Sequence, residues 1–343
     1  MGFYLILPIF GFFAEFKYTR LVSCLLLYLI LCLGYTVGSD WRGYERIYTY
    51  WNFDDYQSQF GAYAYLVDCF KSSNIDFWVF HILLKSIAFV VLLYQLLKVR
   101  YALSIALGFY MIYLFVDNPM RNLLALVISL IAVNFYSYNK LFWLILLLLA
   151  VWFHPSALVS IILILPTKRL KQIAIVMLPL AFIAVVNLET IISVLLNSRF
   201  LFFLLGTKVN FYLIEIGVNG TSGITVGMLF RFVVLLGLLK SRDKRLVYLY
   251  LIYLFIYLGG NVFDVMYRFQ LFFIIIFCQA VIEASRVLIM ERTQFIRLLL
   301  LMVIIHLNIY VEITRVEKFL PYTNILWYDG GQSFEERSNY NFR

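Results

Sequence analysis

The chain has 343 residues, of which 64% are hydrophobic and 14% are charged, and its mean hydropathy is +0.89. A soluble domain carries about 25% charged residues, so this composition excludes a soluble globular protein and predicts a polytopic membrane protein. The net charge of +9 could indicate nucleic-acid binding. The basic residues, however, lie in short breaks between apolar runs, so we expect no nucleic-acid partner.

Apolar runs follow one another along almost the whole chain. Because a helix needs about 20 mostly apolar residues to cross a bilayer, we expect an all-α polytopic protein, a bundle of about 12 transmembrane segments. Several of the runs are shorter than a full span. In chain order, the predicted segments are residues 3–16, 21–37, 77–97, 102–116, 122–137, 141–153, 156–166, 173–188, 224–239, 246–260, 269–287 and 298–311.

Basic residues concentrate in alternate breaks between these segments. Short loops rich in lysine and arginine face the cytoplasm, so this pattern predicts the topology and places both termini outside. Anionic lipid headgroups are the expected neighbours of these loops. The basic residues are Lys17, Arg20, Lys98, Arg100, Lys140, Lys168, Arg169, Lys171, Lys240, Arg242, Lys244, Arg245, Arg286, Arg292 and Arg297.

The other breaks are richer in acidic and aromatic residues and are expected on the outer face. Residues 38–76 form the first long outer loop. Residues 189–223 combine an apolar run with a stretch rich in Gly, Asn, Thr and Ser, which is typical of a re-entrant or amphipathic cover. We therefore predict a single transmembrane helical bundle over residues 1–311 and an outer-face C-terminal tail over residues 312–343.

The stretch 38–51, GSDWRGYERIYTYW, is a polar and aromatic patch directly after the second apolar run. Carboxylate and guanidinium groups hydrogen-bond sugar hydroxyls, and flat aromatic faces stack on sugar rings. Asp40, Arg42 and Tyr44 therefore predict one wall of a carbohydrate-phosphate site at the membrane surface.

Arg121, Arg231 and Arg268 lie at or inside the outer ends of apolar segments, where a charge is costly without a partner. A guanidinium binds phosphate through two parallel hydrogen bonds, so these arginines are candidate diphosphate ligands. Snorkelling to headgroups and a buried ion pair are the alternatives. Asp117 and Asp264 each precede an arginine by four residues and face it if the intervening turn is helical. Arg231 has no carboxylate at helical spacing.

His154 stands at another outer end, in the sequence WFHPSAL. Its ordinary titration near neutrality would let it remove a proton from a sugar hydroxyl, and a single structural hydrogen bond at a helix end is the alternative. Tyr322, in the predicted tail, is a further candidate for the substrate site, although aromatic residues at this level commonly form the interfacial belt.

Four short motifs occur in succession: GSDWRGY at residues 38–44, PMRNLLAL at 119–126, FHPSAL at 153–158 and MYRF at 266–269. Through these motifs the chain resembles the EpsG/Wzy-like group of polysaccharide polymerases, which includes the O-antigen polymerases. The resemblance covers residues 38–269 and implies functional positions at Asp40, Tyr44, Arg121, His154 and Arg268. The remaining candidate substrate-binding residues are Arg42 and Arg231, added on physical grounds, with Asp264, Tyr267 and Tyr322.

The resemblance implies a GT-C-like glycosyltransferase, multi-pass in the bacterial inner (cytoplasmic) membrane, with its active site facing the periplasm or the cell exterior. Its partners would be undecaprenyl-diphosphate-linked glycans and membrane lipids, with a chain-length regulator and a flippase as further candidates. Asp40, His154 and Arg121 are the expected catalytic residues, and either Asp40 or His154 could be the base. The arginines would neutralise the departing diphosphate, and no Asp-x-Asp motif stands in the first outer loop, so we expect neither a metal nor another cofactor.

Other functions share some of these features. An O-antigen ligase, or another polyprenyl-carrier glycosyltransferase, would need the same arginines and histidine, so the sequence does not separate it from a polymerase. A lipid-linked oligosaccharide flippase would place its polar residues near the bilayer midplane, whereas here they gather on the outer side. An acyltransferase would need a thioester site on the cytoplasmic face, where the loops are short and basic.

Overall fold

The structure is a computed structural model and describes residues 2–34, 40–54, 60–117, 119–186, 226–260, 264–288 and 294–315. Over these residues the chain is helical, without β-strands, which confirms the predicted all-α fold. The predicted re-entrant segment 189–223 and most of the predicted tail, including Tyr322, lie outside the described residues.

Each predicted apolar run is helical over most of its length. π-Helix continues α6 over Leu107–Met111 and Tyr113–Asp117, and 3-10 helix forms Pro155–Ile164 and Leu271–Phe273. The α-helices are α1 (Gly2–Phe13), α2 (Arg20–Leu31), α3 (Trp41–Tyr50), α4 (Ala62–Ser72), α5 (Phe77–Leu96), α6 (Ala102–Ala106), α7 (Met120–Phe135), α8 (Lys140–Phe153), α9 (Thr167–Val186), α10 (Val226–Leu239), α11 (Lys244–Gly260), α12 (Asp264–Gln270), α13 (Ile274–Leu288) and α14 (Gln294–Arg315).

Most of the described apolar helical stretches are shorter than a membrane crossing. In the described part of the chain, two helical stretches are long and apolar enough to cross a membrane, Phe77–Leu96 and Met266–Leu288. The shorter apolar stretches there, such as Tyr4–Phe13 and Leu300–Tyr310, have 10–17 residues. At a rise of about 1.5 Å per residue, these fall short of a hydrocarbon layer about 30 Å thick. The count of about 12 transmembrane segments therefore stays a prediction.

Contacts divide the chain into two compact units. The first comprises Met1–Leu158 and Thr293–Arg343, and the second comprises Val159–Arg292. In the first unit α14 packs on α1 and on the π-helical segment Leu107–Met111. There the Asn308 side-chain amide donates to the Gly108 carbonyl at 2.8 Å. The prediction of one bundle followed by a tail stays a prediction.

Residues 38–76, predicted to be a loop, contain the two helices α3 and α4. In α3 the buried residues Trp41, Glu45 and Tyr48 recur at intervals of four and three, which places them on one face of a helix. Tyr48 donates its hydroxyl to the Ile75 carbonyl at 2.6 Å. This buried face packs α3 against the rest of the first unit. The aromatic residues of the patch therefore have a packing role, in addition to any role in binding a ligand.

Gly61 adopts a backbone conformation that favours glycine. It precedes α4 with φ +55° and ψ −134°, a conformation that essentially only glycine adopts. A Cβ atom built there would lie 2.2 Å from the Trp152 carbonyl oxygen. We expect Gly61→Ala to lower the Tm in detergent by about 3–10 °C, because backbone strain of about 1–3 kcal/mol adds to the clash.

Gly43→Ala is the matched control for that variant. Gly43 lies in α3 and a Cβ atom there would meet nothing within 4 Å, so alanine should stabilise the helix slightly, by up to about 1 kcal/mol. A Gly61→Ala protein with the wild-type Tm would contradict the expectation.

Candidate active site

Arg121 lies near the start of α7, where the first backbone N–H groups of a helix lack partners within it. One of these, the Arg121 N–H, donates to the Tyr44 hydroxyl at 3.3 Å. The Arg121 Nε donates to the Phe153 carbonyl at 3.3 Å. Its guanidinium carbon lies 4.8 Å from the centre of the Phe60 ring. Three separate segments therefore meet at this arginine, which is only partly exposed.

His154 ends α8 in an extended conformation, with φ −156° and ψ 126°, because the proline that follows disfavours helix at the residue before it. Its Nδ1 lies 2.6 Å from the Ser156 Oγ and accepts the Ser156 backbone N–H at 3.3 Å. Ser156 Oγ lies 2.9 Å from Asn122 Oδ1. Ser156 and Asn122 are both buried, with 2% exposure.

These contacts, together with the chain neighbours Arg121–Asn122 and Phe153–His154, join one group of residues within the first unit, which we call the Arg121–His154 cluster. It brings together two of the predicted catalytic residues and the predicted sugar-binding residue Tyr44. Its members are Tyr44, Phe60, Arg121, Asn122, Phe153, His154 and Ser156.

The other two predicted residues of this patch lie at the start of α3. Asp40 directly precedes the helix, and its carboxylate makes no capping hydrogen bond to it, so capping does not account for an acidic residue at this position. The Arg42 guanidinium carbon lies 5.8 Å from the centre of the Trp41 ring. Partial burial lowers the pKa of Arg42 from its ordinary value. Tyr44 follows on the same helix, so α3 presents all three residues within little more than one turn.

Asp117 and Arg121 do not share a helix. Asp117 ends the π-helical segment Tyr113–Asp117, whereas Arg121 is the second residue of α7, and Pro119 stands between them. The helical condition for their i, i+4 pairing is therefore not met. Pro119 explains the break, because its ring prevents one continuous helix through this region.

Arg231 is buried in the second unit, with 6% exposure. Its Nε donates to the Tyr253 hydroxyl at 2.7 Å and its Nη1 to the Gly227 carbonyl at 3.0 Å. The guanidinium carbon lies 3.7 Å from the centre of the Tyr257 ring and 5.2 Å from that of Phe277. Tyr253, Tyr257 and Phe277 thus form an aromatic cage around this arginine.

Arg268 and Tyr267 lie on α12, which folds back on the end of α11. A Cβ atom at Gly259 would lie 2.5 Å from the Met266 Sδ, and one at Gly260 would lie 3.2 Å from the Tyr267 nitrogen. The two glycines therefore permit the close approach of these helices. Asp264 begins α12, so the helical condition for its pairing with Arg268 is met, but its side chain lies outside the described ones.

Three polar residues next to the predicted ones were not singled out from the sequence. Asn122 follows Arg121 and Ser156 follows the His154–Pro155 pair, so both stand inside motifs that were recognised. Gln270, two residues after Arg268, is fully buried, and neither atom of its side-chain amide has a hydrogen-bond partner in the described structure. Their adjacency to ionisable residues was the available signal, but only the packing shows that they are buried.

Comparison with known proteins agrees with the motifs. The profile of the EpsG family matches residues 17–324, most of the chain. Searches of the curated proteins and of the solved structures found no match. The family match spans both units and every described residue of the candidate site. This protein therefore belongs to the EpsG family, a family of Wzy-like polysaccharide polymerases of the membrane.

Proposed function

We propose that this protein is a glycosyltransferase of the bacterial inner membrane that polymerises undecaprenyl-diphosphate-linked oligosaccharide repeat units into O-antigen or a related surface polysaccharide. The growing chain leaves its lipid diphosphate and joins the terminal sugar of an acceptor unit, on the periplasmic or outer side of the membrane. Family membership supports the polymerase class, and the proposal adds the carrier and the reaction.

The observation that carries the proposal is the Arg121–His154 cluster. Arg121 is bonded to the last carbonyl of α8, and His154 is the next residue along the chain. A guanidinium hydrogen-bonded to the carbonyl of the residue that precedes a histidine matches a reaction in which a diphosphate departs while a hydroxyl loses a proton. Tyr44 joins α3 to the same group, which brings the aromatic patch to the cluster.

The proposed transfer forms one glycosidic bond and breaks one bond to the diphosphate. The acceptor hydroxyl oxygen attacks the anomeric carbon of the donor sugar, and the bond from that carbon to the diphosphate oxygen breaks, with its electron pair remaining on the diphosphate. Arg121 stabilises the charge that develops there. The hydroxyl proton passes to a base, for which Asp40 and His154 are the candidates, and nearby carboxylates favour the oxocarbenium-like transition state. Arg231 and Arg268 are further candidate ligands for the diphosphate.

The test is reconstitution of the purified protein in proteoliposomes with undecaprenyl-diphosphate-linked repeat units isolated from a deletion strain. A polymerase will produce lipid-linked glycans whose length increases by whole repeats, and it will release one undecaprenyl diphosphate for each transfer. A single transfer to a different acceptor, without a ladder, would indicate a ligase. Translocation without any new glycosidic bond would indicate a flippase, and either result would contradict the proposal.

We also propose that the transfer needs no divalent metal, because arginines would stabilise the leaving diphosphate. In the same assay, EDTA should leave the rate of ladder formation unchanged, and added magnesium should not increase it. A known metal-dependent glycosyltransferase assayed in parallel provides the control for complete chelation. Activity that disappears with EDTA and returns with magnesium would contradict this expectation.

A further inference from the structure

The hydrogen bonds on one side of the His154 ring reveal which ring nitrogen carries the proton. The Ser156 backbone N–H points at Nδ1, with the two nitrogens 3.3 Å apart. A backbone N–H can only donate, and its hydrogen is fixed by the peptide plane. A proton on Nδ1 would therefore face another proton across this contact. Nδ1 must present its lone pair, and a neutral imidazole then carries its single proton on Nε2.

The Ser156 hydroxyl follows from that assignment. Its oxygen lies 2.6 Å from Nδ1, and a hydroxyl has one hydrogen that rotates toward an acceptor. It therefore donates to Nδ1, so that the side chain and the backbone of Ser156 both donate to the same nitrogen. The contact of 2.9 Å between Ser156 Oγ and Asn122 must then be donated by Asn122.

The Asn122 amide fits this requirement after a half turn. With Oδ1 toward Ser156, its Nδ2 is buried and has no hydrogen-bond partner in the described structure. The oxygen and nitrogen of an amide occupy nearly the same shape, and their assignment depends on the hydrogen-bond network. Rotation by 180° brings Nδ2 to Ser156 and satisfies one of its two N–H groups. Buried N–H groups without acceptors are rarer than under-satisfied carbonyls, which favours the rotated amide.

We infer that Asn122 and Ser156 are positioning residues that hold His154 as an Nε2–H hydrogen-bond donor rather than as a base. Both hydrogen bonds then run in the same direction: Asn122 Nδ2 donates to Ser156 Oγ, and Ser156 Oγ donates to His154 Nδ1. This step rests on the proposed function: the Nε2–H would donate a hydrogen bond to a diphosphate oxygen of the lipid-linked sugar substrate beside Arg121. Of the two candidate bases, this leaves Asp40 to receive the acceptor proton.

The protonation state can be measured without substrate. The chain has only three histidines, so protein labelled with [15N]histidine gives few ring signals, and His154→Gln identifies those of His154 by their loss. In lipid nanodiscs in mildly alkaline buffer, where a histidine of ordinary pKa is neutral, the nitrogen shifts should show a protonated Nε2 and a bare Nδ1. A proton on Nδ1 in the wild-type protein would overturn the inference.

The two hydrogen bonds from Asn122 through Ser156 to His154 form the Ser156–Asn122 relay. Asn122→Asp tests its direction with a side chain of nearly the same shape. A carboxylate can only accept, so the Ser156 hydroxyl must donate to it and can no longer donate to Nδ1. Only the backbone N–H at 3.3 Å then still favours a bare Nδ1, so we expect both Asn122→Asp and Ser156→Ala to give a mixture of the two protonated forms. The share of Nδ1–H should be larger in Asn122→Asp, where the Ser156 oxygen faces the ring as an acceptor. Wild-type shifts in both variants would show that neither residue positions the ring and would overturn the inference.

Activity gives a second, separate readout. A glutamine amide donates a hydrogen bond but is not a base, so His154→Gln should retain ladder formation to within about tenfold, whereas loss of a general base costs about 10²–10⁴-fold. His154→Leu should lose far more than His154→Gln. Equal and complete loss in both would overturn the donor role. Because the nitrogen shifts need no substrate, they remain decisive even if the protein proves to make another product.

Discussion

Replacing Arg231 by lysine or by alanine is expected to remove long glycan chains and leave single repeats, a loss of about 10²-fold or more in transfer rate. The guanidinium donates from two different nitrogens to Tyr253 and to the Gly227 carbonyl, and it stacks on Tyr257. A lysine ammonium keeps the charge but cannot make these contacts from one planar group. The measurement is glycan laddering from a complemented deletion strain, with membrane expression and Tm checked for each variant.

Two controls separate the role of the Arg231 side chain from a general effect of arginine loss. Tyr257→Phe keeps the aromatic face beneath the guanidinium and should have little effect. Arg286→Lys changes an arginine whose side chain is 61% exposed and is paired with Glu283, so it should also have little effect. Normal ladders from well-expressed Arg231→Ala would show that Arg231 is structural, and the diphosphate site would then have to rely on Arg121 and Arg268.

Arg121→Lys should reduce transfer by about 10²–10³-fold, the cost of losing one preorganised donor to a developing negative charge. Lysine has no Nε–H to donate to the Phe153 carbonyl and no planar group to lie over Phe60. The Tyr44 contact uses the backbone N–H, so it should survive the substitution. The rate constant and the KM for the lipid-diphosphate donor should be measured in nanodiscs.

Phe60→Leu is the matched control for Arg121→Lys, because it removes the ring beneath the guanidinium and leaves the hydrogen bond to Phe153 in place. We expect a smaller loss of activity, since a cation–π contact contributes about 0.5–2 kcal/mol. If Arg121→Lys retained wild-type kinetics while Phe60→Leu did not, the role assigned to the Arg121 hydrogen bond would be wrong.

The positions of the helices could largely be predicted from sequence. Long continuous apolar runs in a chain with 14% charged residues favour helices, because a helix satisfies its own backbone groups in an apolar medium, and the described helices follow these runs. The family could also be predicted, because its short motifs retain their order, and the EpsG profile confirms it. The number of spans could not, because many apolar runs are near or below the length of a membrane crossing.

Contacts between residues far apart in the chain could not be predicted from the local sequence pattern. Tyr44 and Arg121 are 77 residues apart, Asn122 and Ser156 are 34 apart, and Arg231 and Tyr253 are 22 apart. Helical periodicity relates residues three or four apart, so it proposed the Asp117–Arg121 pair and could not show that Pro119 divides the helix there. Helical periodicity singled out Arg231 only because no carboxylate stands at helical spacing from it. The packing places Tyr253 and Tyr257 against its guanidinium.

The sequence by itself determined the class of protein, its helical runs, its family and most of the candidate residues, because these depend on composition, on short-range periodicity and on short motifs. The tertiary structure decided which of these residues meet, since that depends on how helices pack across long separations. It placed Arg121 against the end of α8 and gave the His154 ring the Ser156–Asn122 relay. The direction of that relay comes from a buried amide and a fixed backbone N–H, which no local pattern encodes.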